Sequence, residues 1–218
     1  MKIALIGATG FVGSAVLAEL LQRGHQVTAL ARNPSGLAAQ TNLSARALDV
    51  YDPDAVAAAA KGHDAIVSAF NPGWDAPELY EQFTKGHGAI VAGVEQSGVK
   101  RLLVVGGAGS LFVAPGVQLV DTPEFPTHVP PNVVPGAKAA RDALTSLRTN
   151  TTLDWTFLSP PALLGPGERS GKYRVGGEQL LMAGAAPAGI SVADLAVAIA
   201  DELETPRHVR ARFTVATA

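Results

Sequence analysis

The chain contains no cysteine among its 218 residues, which excludes disulfide bonds and thiolate chemistry. Charged residues make up 17% of the sequence and leave a formal net charge of -2, so no basic surface suited to nucleic acid or anionic membranes is expected. No apolar run approaches the roughly 20 residues of a membrane-spanning helix. A strand pattern that begins at Lys2 leaves no room for a signal peptide. We therefore expect a cytoplasmic protein without nucleic-acid or membrane partners.

A metal-ligand pattern is missing as well. The five histidines are scattered along the chain without the spacing of a metal site, and most are expected at surface or turn positions. His128 lies in a proline-rich segment and is the histidine that could reach a ligand site. No metal is predicted.

Glycine is abundant at the start of the chain, where an apolar strand pattern over residues 3–6 turns into a helical pattern over residues 11–23. Three glycines at this junction suit a tight turn, close backbone approach to a pyrophosphate, and close packing of helix on strand. The first N–H groups of the helix would then meet phosphate oxygens. A second strand pattern follows within about 30 residues, which is the context that a dinucleotide loop requires. The predicted contacts in this loop are Gly7, Thr9, Gly10, Phe11, Val12 and Gly13.

Strand and helix patterns alternate over the first 160 residues, which predicts an α/β fold with a doubly wound parallel sheet. The length favours a single Rossmann-like domain over residues 1–218, with residues 160–218 forming a small substrate-side region. Further strands are predicted at residues 26–31, 45–48, 65–69, 101–105, 154–158 and 210–215. Helices are predicted at residues 53–60, 76–96, 138–147 and 191–203. The proline-rich stretch 114–136 shows no period and is expected to be a surface loop or lid.

In this type of fold, the residue at the end of the second strand contacts the adenosine ribose. A carboxylate there would bind the 2′-hydroxyl of NAD, whereas an arginine pairs with the 2′-phosphate of NADP. The strand runs into Arg32 and has no acid at its end, so NADP (as NADPH) is the predicted cofactor. Asp49 and Val50, just past the third strand, are expected beside the adenine.

The fourth and fifth strands end in small residues that would pass beneath the ribose and nicotinamide. Phe70 and Asn71 follow the fourth strand, and Gly106 and Gly107 follow the fifth. Ser110 is the best-placed hydroxyl in that second turn and is the predicted catalytic residue, although a turn serine often binds only its own backbone.

These motifs resemble the short-chain dehydrogenase/reductase superfamily. The resemblance rests on the glycine loop 7–13, on segments 31–34 and 106–110, on the stretch 153–160 and on the late helix pattern 190–199. More narrowly, they are similar to its atypical branch of NmrA-like and NAD(P)H-flavin reductase proteins. This resemblance implies a Rossmann-like fold, NAD(P) binding and a cofactor-binding role for Lys138, which lies near the start of the helix that carries the superfamily's lysine.

Members that oxidise alcohols use a Tyr-x-x-x-Lys pair, in which the lysine lowers the pKa of the tyrosine. Here the residue four positions before Lys138 is Val134, and no tyrosine has a lysine four residues on. The sequence therefore argues against ordinary carbonyl reduction. Reduction of a planar acceptor demands less of the protein because the cofactor carries the difficult step.

We therefore expect an NADPH-dependent oxidoreductase that reduces a flavin or a quinone by hydride transfer. Two alternatives stay open: an NmrA-like redox sensor that binds NADP without turnover, and an epimerase or isomerase with retained cofactor. Trp74 and Phe112 could stack on a planar acceptor or simply pack. A homodimer is possible.

Overall fold

A computed structural model describes residues 1–218 of the chain. The strands are β1 (Lys2–Ile6), β2 (Gln26–Ala31), β3 (Leu43–Ala47), β4 (Ala65–Ser68), β5 (Arg101–Val105), β6 (Phe112–Ala114), β7 (Val117–Gln118), β8 (Asp154–Ser159), β9 (Leu163–Gly165), β10 (Tyr173–Gly176), β11 (Met182–Ala183), β12 (Ala186–Pro187), β13 (Gly189–Ser191) and β14 (Ala211–Thr217). The helices are α1 (Phe11–Gln22), α2 (Pro53–Ala60), α3 (Leu79–Ser97), α4 (Phe125–His128), α5 (Val133–Leu147) and α6 (Val192–Glu204).

Eight strands form one sheet in the order β10-β14-β8-β5-β4-β1-β2-β3. All neighbours in it are parallel except β10, which pairs antiparallel with β14. The strand order reverses beside β1, because β1 pairs with β2 on one side and with β4 on the other. This is the predicted doubly wound α/β fold, and the reversal creates a crevice at the carboxyl ends of β1 and β4.

Apolar residues cover both faces of the sheet, as expected for parallel strands between helices. Successive residues of β1 alternate between the two sides: Ala4 and Ile6 pack in a cluster with α2, α3 and α5, while Ile3 and Leu5 pack in a second cluster with α1 and α6. Side chains on strands point to opposite faces with a period of two, so one short strand supplies both cores. No helix combines the length and the apolar character needed to cross a membrane.

The proline-rich stretch 114–136 is more ordered than predicted. It holds β7, a 3₁₀ turn at Leu119–Asp121, the short helix α4 and the start of α5. Helix α5 begins at Val133, five residues before the predicted start at residue 138, because Pro135 lies in its first turn. A proline is tolerated there since the first N–H groups of a helix have no intrahelical partner.

An ion-pair cluster fixes the substrate-side segment to the first helix. The carboxylate of Glu19, on α1, accepts bonds from Arg169 Nε at 2.7 Å and from Arg23 Nε at 2.7 Å. The Glu19 side chain is only 3% exposed. The hydrogen bond from Arg169 is the main cause that lowers the pKa of Glu19 against the opposing effect of burial. Segment 165–172 is thereby held against the helix that follows the glycine loop.

Candidate cofactor and acceptor cleft

A single long cleft of about 890 Å³ lies along the carboxyl edge of the sheet. Its floor is formed by the residues at the ends of β1, β2, β4 and β5, and its walls by segment 119–140 and by residues 160–164. Its volume is near the upper end of the roughly 300–1,000 Å³ typical of ligand pockets. The cleft therefore lies where a doubly wound fold binds ligands.

The glycines of the first loop are needed for different reasons. Gly7 has a positive φ of 79°, and a Cβ there would lie 2.5 Å from Ala69 O. A Cβ on Gly13 would lie 2.0 Å from Gly7 O, so this glycine lets α1 pack closely on the loop. Gly10 differs, because its Cβ would meet only Gly7 O, at 3.4 Å. Gly10 thus faces open space in the cleft, and nothing in the fold itself requires a glycine there.

Helix α1 begins at this loop without a side-chain cap, since its N-cap residue is Gly10. The first-turn N–H groups of a helix have no intrahelical acceptor and carry the positive end of the helix dipole. Together with the empty space in front of Gly10, this makes the loop a fitting cradle for a pyrophosphate. Thr9, Phe11 and Val12 line the cleft beside it, and Phe11 is 54% exposed.

Arg32 lines the cleft directly after β2, where the sequence predicts a residue that contacts the adenosine ribose. Its side chain is exposed and makes one long contact, from Nη2 to Pro72 O at 3.4 Å. Val50 and Tyr51 line the same end. Burial raises the pKa of Tyr51, and the charge of Arg32 opposes that rise. The guanidinium therefore has donors available for a further anion.

The middle of the cleft is built on the ends of β4 and β5. Phe70 and Asn71 line it, and the Phe70 ring packs edge-on against Tyr51 at a centroid distance of 6.1 Å. Gly106 and Gly107 line the other side of the floor. A Cβ on Gly106 would lie 2.0 Å from the Phe157 ring, so glycine is required for this turn to pass over the buried aromatic residue.

Four predicted site residues do not line the cleft. Gly13 is buried beneath the loop, and its packing role was described above. Asp49 is exposed, and its carboxylate accepts a bond from Tyr51 N at 3.0 Å, which makes it a turn residue. Lys138 is exposed on α5, whereas Gly136, Ala137 and Ala140 of that helix line the cleft. The fourth is Ser110.

Ser110 is only 1% exposed and lies in a 3₁₀ turn behind the cleft floor. Its Oγ is 3.4 Å from Ser159 Oγ and 3.4 Å from Nη1 of Arg212. Arg212 is itself buried and also donates to the carboxylate of Glu178. The catalytic role of Ser110 stays a prediction, and in this structure its hydroxyl belongs to a buried network and does not line the cleft.

The three tyrosines do not form a catalytic pair with a lysine. The hydroxyl of Tyr80 donates to Asp142 at 2.7 Å, and that hydrogen bond raises the pKa of Tyr80. The hydroxyl of Tyr173 donates to Asp201 at 2.6 Å, and neither residue lines the cleft. Tyr51 alone lines the cleft, at its Arg32 end. Sequence reasoning missed Tyr51 because a tyrosine after the third strand carries no motif.

The far end of the cleft is formed by segments that show no periodic pattern. Trp74 lies over Gly136 of α5 and is 49% exposed, while Phe125 is buried in α4. Glu124 and His128 face the same space, and the Nδ1 of His128 is 2.9 Å from Glu124 O. Phe112 does not line the cleft. The proline-rich composition of segments 123–135 and 160–161 was the available signal that these residues form a wall.

The family of the chain follows from comparison with known sequences. A family described as NAD(P)H-binding matches residues 7–206. The chain belongs to this family. The match begins at Gly7 and takes in every residue that lines the cleft except Ile6. The predicted membership of the atypical short-chain dehydrogenase/reductase group is confirmed. The prediction of a nicotinamide cofactor is confirmed as NAD(P)H, which does not distinguish NADP from NAD.

Relatives of the full length are known. The chain is 39% identical over 218 residues to the uncharacterised protein YwnB of Bacillus subtilis, which covers 99% of this chain and 98% of that protein. It is 44% identical, with a TM-score of 0.91, to the crystal structure of a proposed epimerase from Bacteroides thetaiotaomicron, over 99% of this chain and 96% of that one. It is 34% identical, with a TM-score of 0.83, to the structure of a proposed NADH-flavin reductase from Streptococcus pneumoniae, over 100% of both chains.

Proposed function

We propose that this protein is an NADPH-dependent reductase that transfers a hydride to a planar acceptor, with flavin first and quinone second. The observation that carries the proposal is one continuous cleft with two different ends. One end joins an uncapped helix and a glycine cradle to Arg32, and the other is walled by apolar and aromatic side chains. A dinucleotide suits the first end, and a flat apolar ring system suits the second.

The missing tyrosine–lysine pair favours such an acceptor over a carbonyl compound. A ketone that accepts hydride needs a proton at its oxygen, which a positioned acid normally supplies. Tyr80 and Tyr173 are held by carboxylates, and Lys138 is exposed outside the cleft lining. A bound nicotinamide supplies the hydride, and this chain's contribution is to orient the two rings and to exclude water.

The choice of NADPH over NADH rests on Arg32. No carboxylate stands at the end of β2 to accept from a ribose hydroxyl, and the Arg32 guanidinium makes only one long contact. A charge-assisted bond to a 2′-phosphate is worth about 1.5–3 kcal/mol. We expect Arg32→Ala to weaken NADPH binding by about 10- to 150-fold while leaving NADH binding nearly unchanged.

The matched control for this experiment is Arg46→Ala, because Arg46 is an exposed arginine on the neighbouring strand β3 and does not line the cleft. Both variants are titrated with both cofactors at one ionic strength. Equal affinities of the unmutated protein for NADPH and NADH would overturn the NADPH assignment.

Activity is tested by following NADPH oxidation against flavins, quinones and aldehydes. Turnover of flavins or quinones, but not of aldehydes, is the expected result. Tight cofactor binding without turnover of any acceptor would favour the redox sensor.

The similarity to a proposed epimerase favours a second candidate function, an epimerase. Glu124 and His128 line the cleft and are the acid–base groups that such a reaction would use. An epimerase with retained cofactor would interconvert a sugar or hydroxy compound without net NADPH consumption. Absence of acceptor reduction together with such an isomerisation would replace the reductase proposal.

A further inference from the structure

We infer that the acceptor of this enzyme is an uncharged ring system, so that the protein reduces unphosphorylated flavin and neutral quinones in preference to flavin phosphates. The inference deepens the proposed reductase function and rests on it. It comes from the distribution of charged side chains along the cleft. The charges that line the cleft are few, and they are unevenly placed.

Arg32 is the one lysine or arginine in the cleft lining, and it stands at the end of β2. The sheet order places β5 three strands away from β2 and β8 four strands away. Neighbouring strands are about 4.8 Å apart, so the ends of β2 and β5 are about 14 Å apart and those of β2 and β8 about 19 Å apart. The Arg32 guanidinium reaches as far as the turn after β4, where its Nη2 is 3.4 Å from Pro72 O. A cofactor that spans the cleft from the glycine loop would use Arg32 itself. No other arginine or lysine of the lining is then left for the acceptor.

The far end holds one carboxylate. Glu124 is exposed and lines the cleft beside His128, whose Nδ1 is engaged by a backbone carbonyl at 2.9 Å. The remaining lining there is apolar, with Trp74, Phe125 and Val129 on one side and residues 160–164 on the other. A phosphate dianion placed in this end would meet Glu124 and no arginine or lysine.

Backbone donors do not make up for the missing cations. Helix α5 points its start at this end, since Val133 lines the cleft. Pro135 removes one of its first-turn N–H groups, and Val133 N already donates to Pro130 O at 2.9 Å. The side chain of Asn132 is likewise engaged, with Nδ2 donating to Trp74 O at 3.1 Å. The end therefore lacks the arginine or lysine of a phosphate site, and these backbone and amide donors are already engaged, which leaves His128 Nε2 as a side-chain donor.

Riboflavin and FMN make the decisive comparison because they share one isoalloxazine ring and differ by a phosphate. Like-charge repulsion between that phosphate and Glu124 leads us to expect a kcat/KM about tenfold higher for riboflavin, with menadione also reduced. Binding of both flavins to the protein loaded with NADP⁺, followed by flavin fluorescence, should show the same order. This second readout does not depend on turnover.

Variants at Glu124 test whether this carboxylate causes the preference for riboflavin over FMN. Glu124→Gln should lower the riboflavin-to-FMN ratio of kcat/KM about threefold, and Glu124→Lys should lower it further, by tenfold or more. The matched control is Asp154→Asn, which removes a half-exposed carboxylate at the start of β8, the opposite edge from the cleft. The control should leave the ratio unchanged.

The outcomes separate the two claims. The uncharged-acceptor inference would be overturned, with the reductase function intact, if FMN were bound and reduced as well as riboflavin. The same conclusion would follow if Glu124→Lys left the riboflavin-to-FMN ratio of kcat/KM unchanged. Failure to reduce any flavin or quinone would overturn the reductase function, and the binding order would then still support or contradict an uncharged ligand at this end.

Discussion

Gly10→Val separates cofactor binding from folding more cleanly than any other change in the glycine loop. Gly10 has φ -78° and ψ 173°, which a residue with a side chain adopts without strain. A Cβ added there would have Gly7 O as its nearest neighbour, at an ordinary contact distance of 3.4 Å. The fold should therefore accept the substitution. The new side chain would stand in front of the N-terminus of α1, in the space proposed for the pyrophosphate.

The size of the effect follows from the bonds that the side chain would block. Hydrogen bonds from first-turn N–H groups to a phosphate involve a charged partner and are worth about 1.5–3 kcal/mol each. Loss of two such bonds costs about 3–6 kcal/mol, which corresponds to at least about a 100-fold rise in Kd. Both NADPH and NADH should be affected, since they share the pyrophosphate. The melting temperature of the free protein should change by less than about 2 °C, or under about 1 kcal/mol.

Titration calorimetry with NADPH and NADH, alongside thermal unfolding of the free protein, measures both quantities. Gly177→Val serves as a control, because Gly177 has open space around it and does not line the cleft. Gly13→Ala is the opposite control, since its Cβ would lie 2.0 Å from Gly7 O. Overpacking of this kind costs about 1–3 kcal/mol and should lower the melting temperature by roughly 2–12 °C.

Two results would refute this reasoning. A Gly10→Val protein that binds NADPH with unchanged affinity would show that the pyrophosphate is not held in front of α1. A fall in melting temperature as large as that of Gly13→Ala would show that the fold itself needs glycine at this position.

Three further predictions concern the polar groups near the cleft and on α1. Replacing any one tyrosine by phenylalanine should leave flavin or quinone reduction within about threefold, or roughly 0.65 kcal/mol; a 100-fold loss at unchanged cofactor affinity would instead reveal a tyrosine acid. These tyrosines are Tyr51, Tyr80 and Tyr173. Ser110→Ala tests the predicted catalytic role, which requires about tenfold slower turnover; the buried hydroxyl leads us to expect less than threefold, with the loss appearing in thermal stability. Because the pKa of Glu19 is lowered by Arg169, its stabilisation is present above the ordinary glutamate pKa and is lost as pH falls through the folded-state value. Glu19→Gln should cost about 1–3 kcal/mol in urea unfolding at pH 7 and much less in acid; an equal loss at both pH values would contradict the ion-pair account.

The sheet and its order of elements were predictable because parallel strands between helices leave a strong local signal. Continuous apolar runs such as residues 3–6 and 102–105 were predicted to lie in strands, and the structure confirms them, since both faces of these runs are buried. The glycine loop was predictable for the same reason, because its spacing encodes a turn that can be recognised without knowing the rest of the fold. The place of Arg32 in the cleft lining was predictable because Arg32 directly follows one of those strands.

The acceptor end and the place of Ser110 depended on tertiary structure. Whether a turn residue points into a cleft or behind its floor depends on the residues packed around it, here Arg212 from a strand 102 residues later in the chain. The start of α5 was hidden because Pro135 looks like a helix breaker until its first-turn position is known. The charge balance of the cleft is likewise invisible in the sequence. Arg32 and Glu124 are 92 positions apart in the sequence, and only the tertiary structure shows that they line one cleft.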